Sequence, residues 1–301
     1  MPDVMIRLFL HLLYMSWANY HSHSLFCDGK AAPEDFIIAA IAKGFCAYGF
    51  SSHAHVPFPS HWNMDISRLD EYLNEVLRLR SAYAGKIEIY TGLEVDYIDG
   101  QWGFGSSGLK DKKLDYVIGS VHYIGCLPDG SFFFFDGQPD AFFRGIEILY
   151  QNDYRKALTG YYHSVRSMIE QERPDIVGHL DKIKMHNTVR PYFNEGEKWY
   201  KEQVEETLGL IAQNGCILEV NTRGYIKQNP PMLYPGKWVL ERAFQYNIPV
   251  MLNSDAHHPE EIDAGFSNAA AILKDIGYES LRVLLDGRWQ DMPFNENGLL
   301  N

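Results

Sequence analysis

The chain has 301 residues, with 39 acidic and 27 basic side chains and a formal net charge of −12. Its 46% hydrophobic and 14% aromatic content supplies one large core and excludes low-complexity disorder. The acidity excludes a non-specific nucleic-acid binder, which needs a basic surface to displace phosphate counterions. Bound cations would still let an acidic chain take an anionic substrate. Cys27, Cys46, Cys126 and Cys216 lie far apart, so no disulfide framework or zinc ribbon is expected, and the expected compartment is cytoplasmic. No stretch reaches the roughly 18 apolar residues of a membrane span, so no membrane partner is expected.

Residues 1–14 read as an N-terminal extension. Leu8–Tyr14 is apolar apart from His11 and follows Arg7, a faint signal-peptide pattern, but no small-x-small cleavage site follows. One domain is therefore expected over 15–301, with Met15 as its functional start. Trp17–His21 is the first expected strand. Pro33-Glu34-Asp35 opens a helix to Lys43 that Gly44 caps. Phe45–His53 is the second strand, and Ser67-Arg68-Leu69-Asp70 resembles a capping box for a helix to Ala84. Ile87–Val95 and Leu114–His122 are the third and fourth strands. Phe132–Phe135, before Asp136-Gly137, reads as a hairpin.

Helical patterns then cover Asp140–Tyr150 and Tyr154–Glu172. Asp175–His179 is the fifth strand, Glu195–Asn214 a helix, Cys216–Asn221 the sixth strand, Lys237–Tyr246 a helix and Pro249–Ser254 the seventh strand. Helical segments are expected to finish the chain. Seven β–α units imply parallel strands with crossover helices, an α/β fold.

Almost every expected strand ends in a metal-ligand residue type. The ends carry His21-Ser22-His23 with Asp28 in the following loop, His53-Ala54-His55, Glu94-Val95-Asp96, His122, His179-Leu180-Asp181, Glu219-Val220-Asn221-Thr222-Arg223 and Asp255-Ala256-His257-His258. In a barrel such ends converge on one mouth, which favours a closed or nearly closed barrel over an open sheet. His21/His23 and Asp255/His257 are i, i+2 pairs, which in extended backbone share a face and can chelate. Any one of these features alone is weak, since single histidines are more often core or surface residues and an aspartate often caps a helix. Six histidines and three carboxylates at six strand ends form a stronger pattern, because burying them without counter-charge would be prohibitively costly.

These segments, H-S-H-S-L-F-C-D-G, S-S-H-A-H-V-P-F, G-L-E-V-D-Y, G-S-V-H-Y, G-H-L-D and N-S-D-A-H, resemble the polymerase-and-histidinol-phosphatase (PHP) family of metal phosphoesterases, in its histidinol-phosphatase branch. The match runs from about Trp17 to about Asp263. The resemblance implies a distorted (β/α)7 TIM-like barrel with a trinuclear site. It implies that His21, His23, Glu94 and Asp255 hold a first ion, with Glu94 bridging to a second completed by His122 and His179, and that Asp28, His53 and His257 hold a third. Ligand type alone does not choose among zinc, manganese and iron. No ligand role carries over to His55 or His258.

The expected activity is hydrolysis of a phosphate monoester, L-histidinol phosphate, in histidine biosynthesis, by hydroxide generated between two ions. Asp255 and His257 are the catalytic candidates, either of which could supply the leaving group's proton. Arg223, Asn221 and Lys184 are the substrate-binding candidates; Arg223 suits a phosphate fork, with Lys182 and Arg190 as competitors. Asp96 and Phe132–Phe135 are candidates for the substrate's imidazole and ammonium. Two alternatives remain at this point. One is a PHP phosphoesterase acting on nucleotides or other small phosphates. The other is a non-catalytic metal-binding barrel, against which stands the presence of all nine expected ligands. The oligomeric state is not legible.

Overall fold

The computed structural model describes residues 14–15 and 17–300, so the expected extension lies outside the described residues except for Tyr14. Strands β1 (Tyr14–Met15) and β2 (Ala18–Asn19) are followed by β3 (Ala47–Phe50), β4 (Glu88–Asp96), β5 (Tyr116–Ser120), β6 (Tyr123–Cys126) and β7 (Phe132–Phe134). Then come β8 (Ile176–Val177), β9 (Ile217–Asn221), β10 (Val250–Asn253), β11 (Ser280–Leu285), β12 (Arg288–Asn295) and β13 (Gly298–Leu300). Seven strands form a parallel sheet in the order β10-β9-β8-β5-β4-β3-β2.

The sheet curls until its two edges meet. Ser22 and Ala256 form a parallel bridge, with the His23 amide donating to the Ala256 carbonyl at 2.8 Å. Lower down, side chains replace the ladder: the Tyr20 amide donates to Asn253 Oδ1 (2.8 Å) and the Ser254 amide to Asn19 Oδ1 (3.2 Å). Edge groups that would otherwise be buried without partners are thereby satisfied. The result is the expected seven-stranded, nearly closed barrel.

Crossover helices cover its outside, each with an apolar stripe at helical spacing. Helix Leu69–Ala82 buries Leu69, Tyr72, Val76 and Leu79, and Tyr154–Glu172 buries Leu158, Tyr161, Tyr162, Val165 and Ile169. The interior carries a tyrosine plug. Tyr116 Oη donates to the carbonyl of Tyr20 at 2.6 Å, and its ring fits only because Gly49 and Gly92 lack side chains. A Cβ at either position would lie 2.4 Å from that ring or its hydroxyl.

Two expectations are corrected. The chain does not finish in helices: after helix Phe266–Ile276 it forms an antiparallel sheet, β1-β13-β12-β11. The β11–β12 turn is Asp286-Gly287, both at positive φ (50° and 69°), an aspartate–glycine hairpin signal. Tyr20 Oη holds this sheet beneath the barrel by donating to the Leu284 carbonyl (2.8 Å) and accepting from the Leu284 amide (3.0 Å). The helix at Leu69 also lacks the Ser67 capping box. Asp65 instead accepts from the Ser67 amide at 2.8 Å and caps a preceding 3-10 turn, Ile66–Arg68. Phe132–Phe134 does pair in a hairpin with β6. Among the described residues no helix is long and apolar enough to cross a membrane.

Candidate metal centre

All nine expected ligands converge at the C-terminal mouth of the barrel. Glu94, two residues before the end of strand β4, is the hub: its Oε2 lies 2.8 Å from His53 Nδ1, 3.2 Å from His21 Nε2 and 3.6 Å from His23 Nε2. Its Oε1 lies 3.0 Å from His179 Nε2 and 3.7 Å from His122 Nε2, and accepts from Ser120 Oγ at 2.6 Å. Asp255 Oδ1 stands 3.0 Å from His23 Nε2, and Asp28 Oδ2 3.2 Å from His257 Nε2.

The pairing of Asp255 with His257 has a different origin from the one expected. β10 ends at Asn253, and Asp255 sits at φ 52°, so a left-handed kink, not extended backbone, turns its carboxylate into the cluster. Aspartate is among the few residues that tolerate this conformation. The kink also lets His257 Nδ1 donate to the Asp255 carbonyl at 3.0 Å, which leaves Nε2 free as a ligand.

The electrostatics call for cations. Burial opposes charge on Asp28, Glu94 and Asp255, yet the surrounding imidazoles, joined at Asp255 by Lys182, hold all three carboxyls well below their ordinary range. Burial likewise opposes charge on His21, but Glu219, Glu94 and Asp255 outweigh it and raise its pKa; Glu94 similarly brings His53 up to about 8. His23, buried against His53 and His257, is held well below the imidazole range. His21 Nε2, His23 Nε2, Asp28 Oδ1, His53 Nδ1 and Glu94 Oε2 are all buried without a hydrogen-bond partner. Unpaired buried groups are costly and uncommon, and here they face one another.

Three groups place their ligand atoms within 4.8 Å: His21, His23 and Asp255; His53, Glu94 and His122; and His23, Asp28, His53 and His257. Mixed imidazole and carboxylate donors at such spacing fit divalent metal ions.

The cluster floors a cleft of about 600 Å³ lined by Asp28, His53, His122, Asp255 and His257 with Trp62, Phe134, Asp136, Lys182 and Arg223. Arg223 is at the cleft as expected, with Nη1 2.5 Å from Glu261 Oε2. Two other substrate-binding candidates do not line it. Lys184 is buried 2.7 Å from Asp181 and 3.0 Å from Glu195, so its charge is already engaged. Asn221 is fully buried and turns its amide to Glu219 and Asp255.

The lysine at the cleft is Lys182, with Nζ 2.7 Å from Asp136 and 3.7 Å from Asp255; these anions keep its ammonium above the ordinary lysine range despite burial. Asp96 does not face a substrate either: it is buried, with Oδ1 2.8 Å from His122 Nδ1 and Oδ2 accepting from Asn63 Nδ2. Sequence reasoning also missed Trp62, whose ring stands against His53 and His122 (4.3 and 5.3 Å between centroids) and Phe134 (5.0 Å). No spacing signal marks Trp62, since it arrives from an irregular loop.

A parallel barrel with a buried imidazole–carboxylate cluster at its C-terminal mouth is an arrangement suited to metal-assisted hydrolysis. The chain belongs to the PHP domain family, whose model matches residues 19–223. A probable histidinol-phosphatase of Deinococcus radiodurans is 29% identical over 260 residues, covering 85% of this chain and 92% of the relative. The histidinol-phosphatase of Bacillus subtilis is 29% identical over 268 residues, covering 80% and 94%. The solved structure of Lactococcus lactis histidinol phosphate phosphatase, complexed with zinc, L-histidinol and phosphate, matches this fold with a TM-score of 0.68. That match is 23% identical and covers 94% of this chain and 98% of that one.

Proposed function

We propose that the protein hydrolyses L-histidinol phosphate to L-histidinol and inorganic phosphate, water supplying the oxygen that replaces the ester. The observation that carries this reading is the cluster beneath a cleft, in which eight of the nine expected ligands fall into groups able to hold a metal ion and His179 lies 3.0 Å from Glu94, in a chain that aligns over most of its length with proteins named histidinol-phosphatase.

Three divalent ions are proposed. His21, His23, Glu94 and Asp255 would hold the first, Glu94, His122 and His179 the second, and Asp28, His53 and His257 the third. When bound, such ions polarise phosphate oxygens and bring the pKa of a water towards neutrality. The protein's own residues supply the rest. Lys182 and Arg223 give the cleft positive charge for a phosphate dianion, offsetting an otherwise acidic chain. Lys182 takes the role expected of Lys184.

Asp255 and His257 are the proposed catalytic residues. His257 is the most exposed of the six ligand imidazoles and lines the cleft; with Nε2 ligating and Nδ1–H held by the Asp255 carbonyl, it would position the ion while a water supplies the departing alkoxide's proton. Trp62 and Phe134 form an aromatic wall beside the cluster, suited to the face of a substrate imidazole or to its ammonium. The test is phosphate release from L-histidinol phosphate with added zinc or manganese, beside a nucleotide and a sugar phosphate. Selective release from the first is expected. Preference for the nucleotide would keep the metal centre and discard the substrate.

A further inference from the structure

Glu219 lies on β9, the one barrel strand among the seven that contributes no metal ligand, yet its carboxylate is fully buried beneath the cluster. Four donors converge on it. Oε1 accepts from His21 Nδ1 at 2.6 Å and from Asn253 Nδ2 at 3.0 Å. Oε2 accepts from the backbone amide of His179 at 2.8 Å and from Asn221 Nδ2 at 3.1 Å. The same Asn221 amide group reaches Asp255 Oδ2 at 3.3 Å. One side chain therefore touches, directly or through one amide, ligands that follow three different strands, β2, β8 and β10.

We infer that Glu219 is a positioning residue of the metal centre: it fixes the Nδ1–H tautomer of His21 and locks the His21, His179 and Asp255 strand ends into one spacing. The chemistry is general. An imidazole whose Nδ1–H is held by a carboxylate presents Nε2 as a lone pair in a fixed direction, with raised basicity. Here that Nε2 points to Glu94 Oε2 at 3.2 Å, into the ligand cluster. Asp96 does the same for His122, whose Nε2 faces Glu94 and His179. Asp96, however, engages one ligand where Glu219 engages three. The inference rests on the site's being a metal centre and not on which phosphate ester it cleaves.

The discriminating variant is Glu219→Gln, which keeps shape and hydrogen-bonding capacity but turns one acceptor into a donor. If its amide nitrogen takes the Oε2 place, it opposes the His179 amide, which cannot turn away. If it takes the Oε1 place, it forces His21 to carry its proton on Nε2 and so to lose that atom as a ligand.

The experiment measures zinc affinity and stoichiometry of the full chain against a chromophoric chelator, with circular dichroism as the fold control. Expected is a loss of about 10- to 100-fold in affinity for the tightest ion, with the dichroism unchanged. Affinity and stoichiometry equal to the unaltered protein would overturn the inference. Should the variant fail to fold, nitrogen-15 NMR of the histidines in the unaltered, metal-free protein decides independently. A His21 resonance pattern of the Nδ1–H form, or of an imidazolium that reverts to it on zinc addition, is expected. A His21 protonated on Nε2 alone would overturn it. Both readouts are made without substrate, so a failure of the histidinol phosphate assignment leaves them untouched.

Discussion

Replacing Lys182 by methionine removes one charge from the cleft while nearly conserving volume. Its ammonium lies 2.7 Å from Asp136 and 3.7 Å from Asp255 and borders the space where phosphate would sit. With an effective dielectric of about 20, unit charges at that longer separation interact by about 4–5 kcal/mol. A phosphate oxygen in the place nearest Nζ experiences a comparable field, and loss of one preorganised donor to a developing oxyanion costs about 100- to 1,000-fold in rate. We expect Lys182→Met to lower kcat/KM for L-histidinol phosphate by that factor, measured by phosphate release on metal-loaded protein.

The double variant Lys182→Met/Asp136→Asn separates two roles. If the lysine merely neutralises Asp136, removing that anion as well restores activity. If it serves the phosphate, the double variant stays as slow as the single one. The reasoning is refuted if the single variant keeps kcat/KM within about threefold, under about 1 kcal/mol of transition-state binding, or if the double variant recovers.

Chelation of the metal should abolish turnover while leaving the far-ultraviolet dichroism intact, because the barrel ladder is independent of the cluster. Metal at about 100 times its dissociation constant adds about 2.7 kcal/mol of stability, or about 5 °C in Tm for a chain of this size, and an unchanged Tm on reloading would argue against a metal centre. Arg223→Ala should raise KM more than it lowers kcat, since it removes ground-state phosphate binding at the cleft edge; an unchanged KM would reassign that charge to holding Glu261 alone. Lys184→Met should act on stability and not on KM. It strands the fully buried Asp181, a loss of about 3–5 kcal/mol in a denaturation series, and a raised KM with unaltered stability would return Lys184 to the substrate site.

The convergence of candidate ligand residues was legible because polar, titratable residues inside apolar strands are expensive and therefore informative. His21, His53, Glu94, His122 and His179 each follow a run of buried residues, and the barrel brings such ends together without further instruction. The substrate-binding residues were less legible for a geometric reason. Beyond His179 the chain enters a 3-10 helix, Lys182–Thr188, in which residues two apart point in different directions. Nothing local then says that Lys182 faces the cleft while Lys184 turns back to Asp181. The alternation rule also misdescribed Asp255, whose left-handed backbone replaces the extended one. The C-terminal sheet was missed although Asp286-Gly287 carried the turn signal.

The sequence by itself determined the parallel barrel and the gathering of metal-ligand residue types at its mouth. Hydrophobic periodicity and ligand residue types are local properties, and the parallel barrel converts strand order into proximity with few alternatives. Tertiary structure alone decided which charges serve the cleft and which are absorbed by neighbours. Arg223 meets Glu261, Lys182 meets Asp136, and Glu219 meets His21, each across many residues of chain. Lys184 finds Asp181 one 3-10 turn away, yet it is held there by Glu195 and by the burial of both groups. A charge has no direction in a sequence; its role follows from the partner that burial places within about 3 Å and from the water that burial removes.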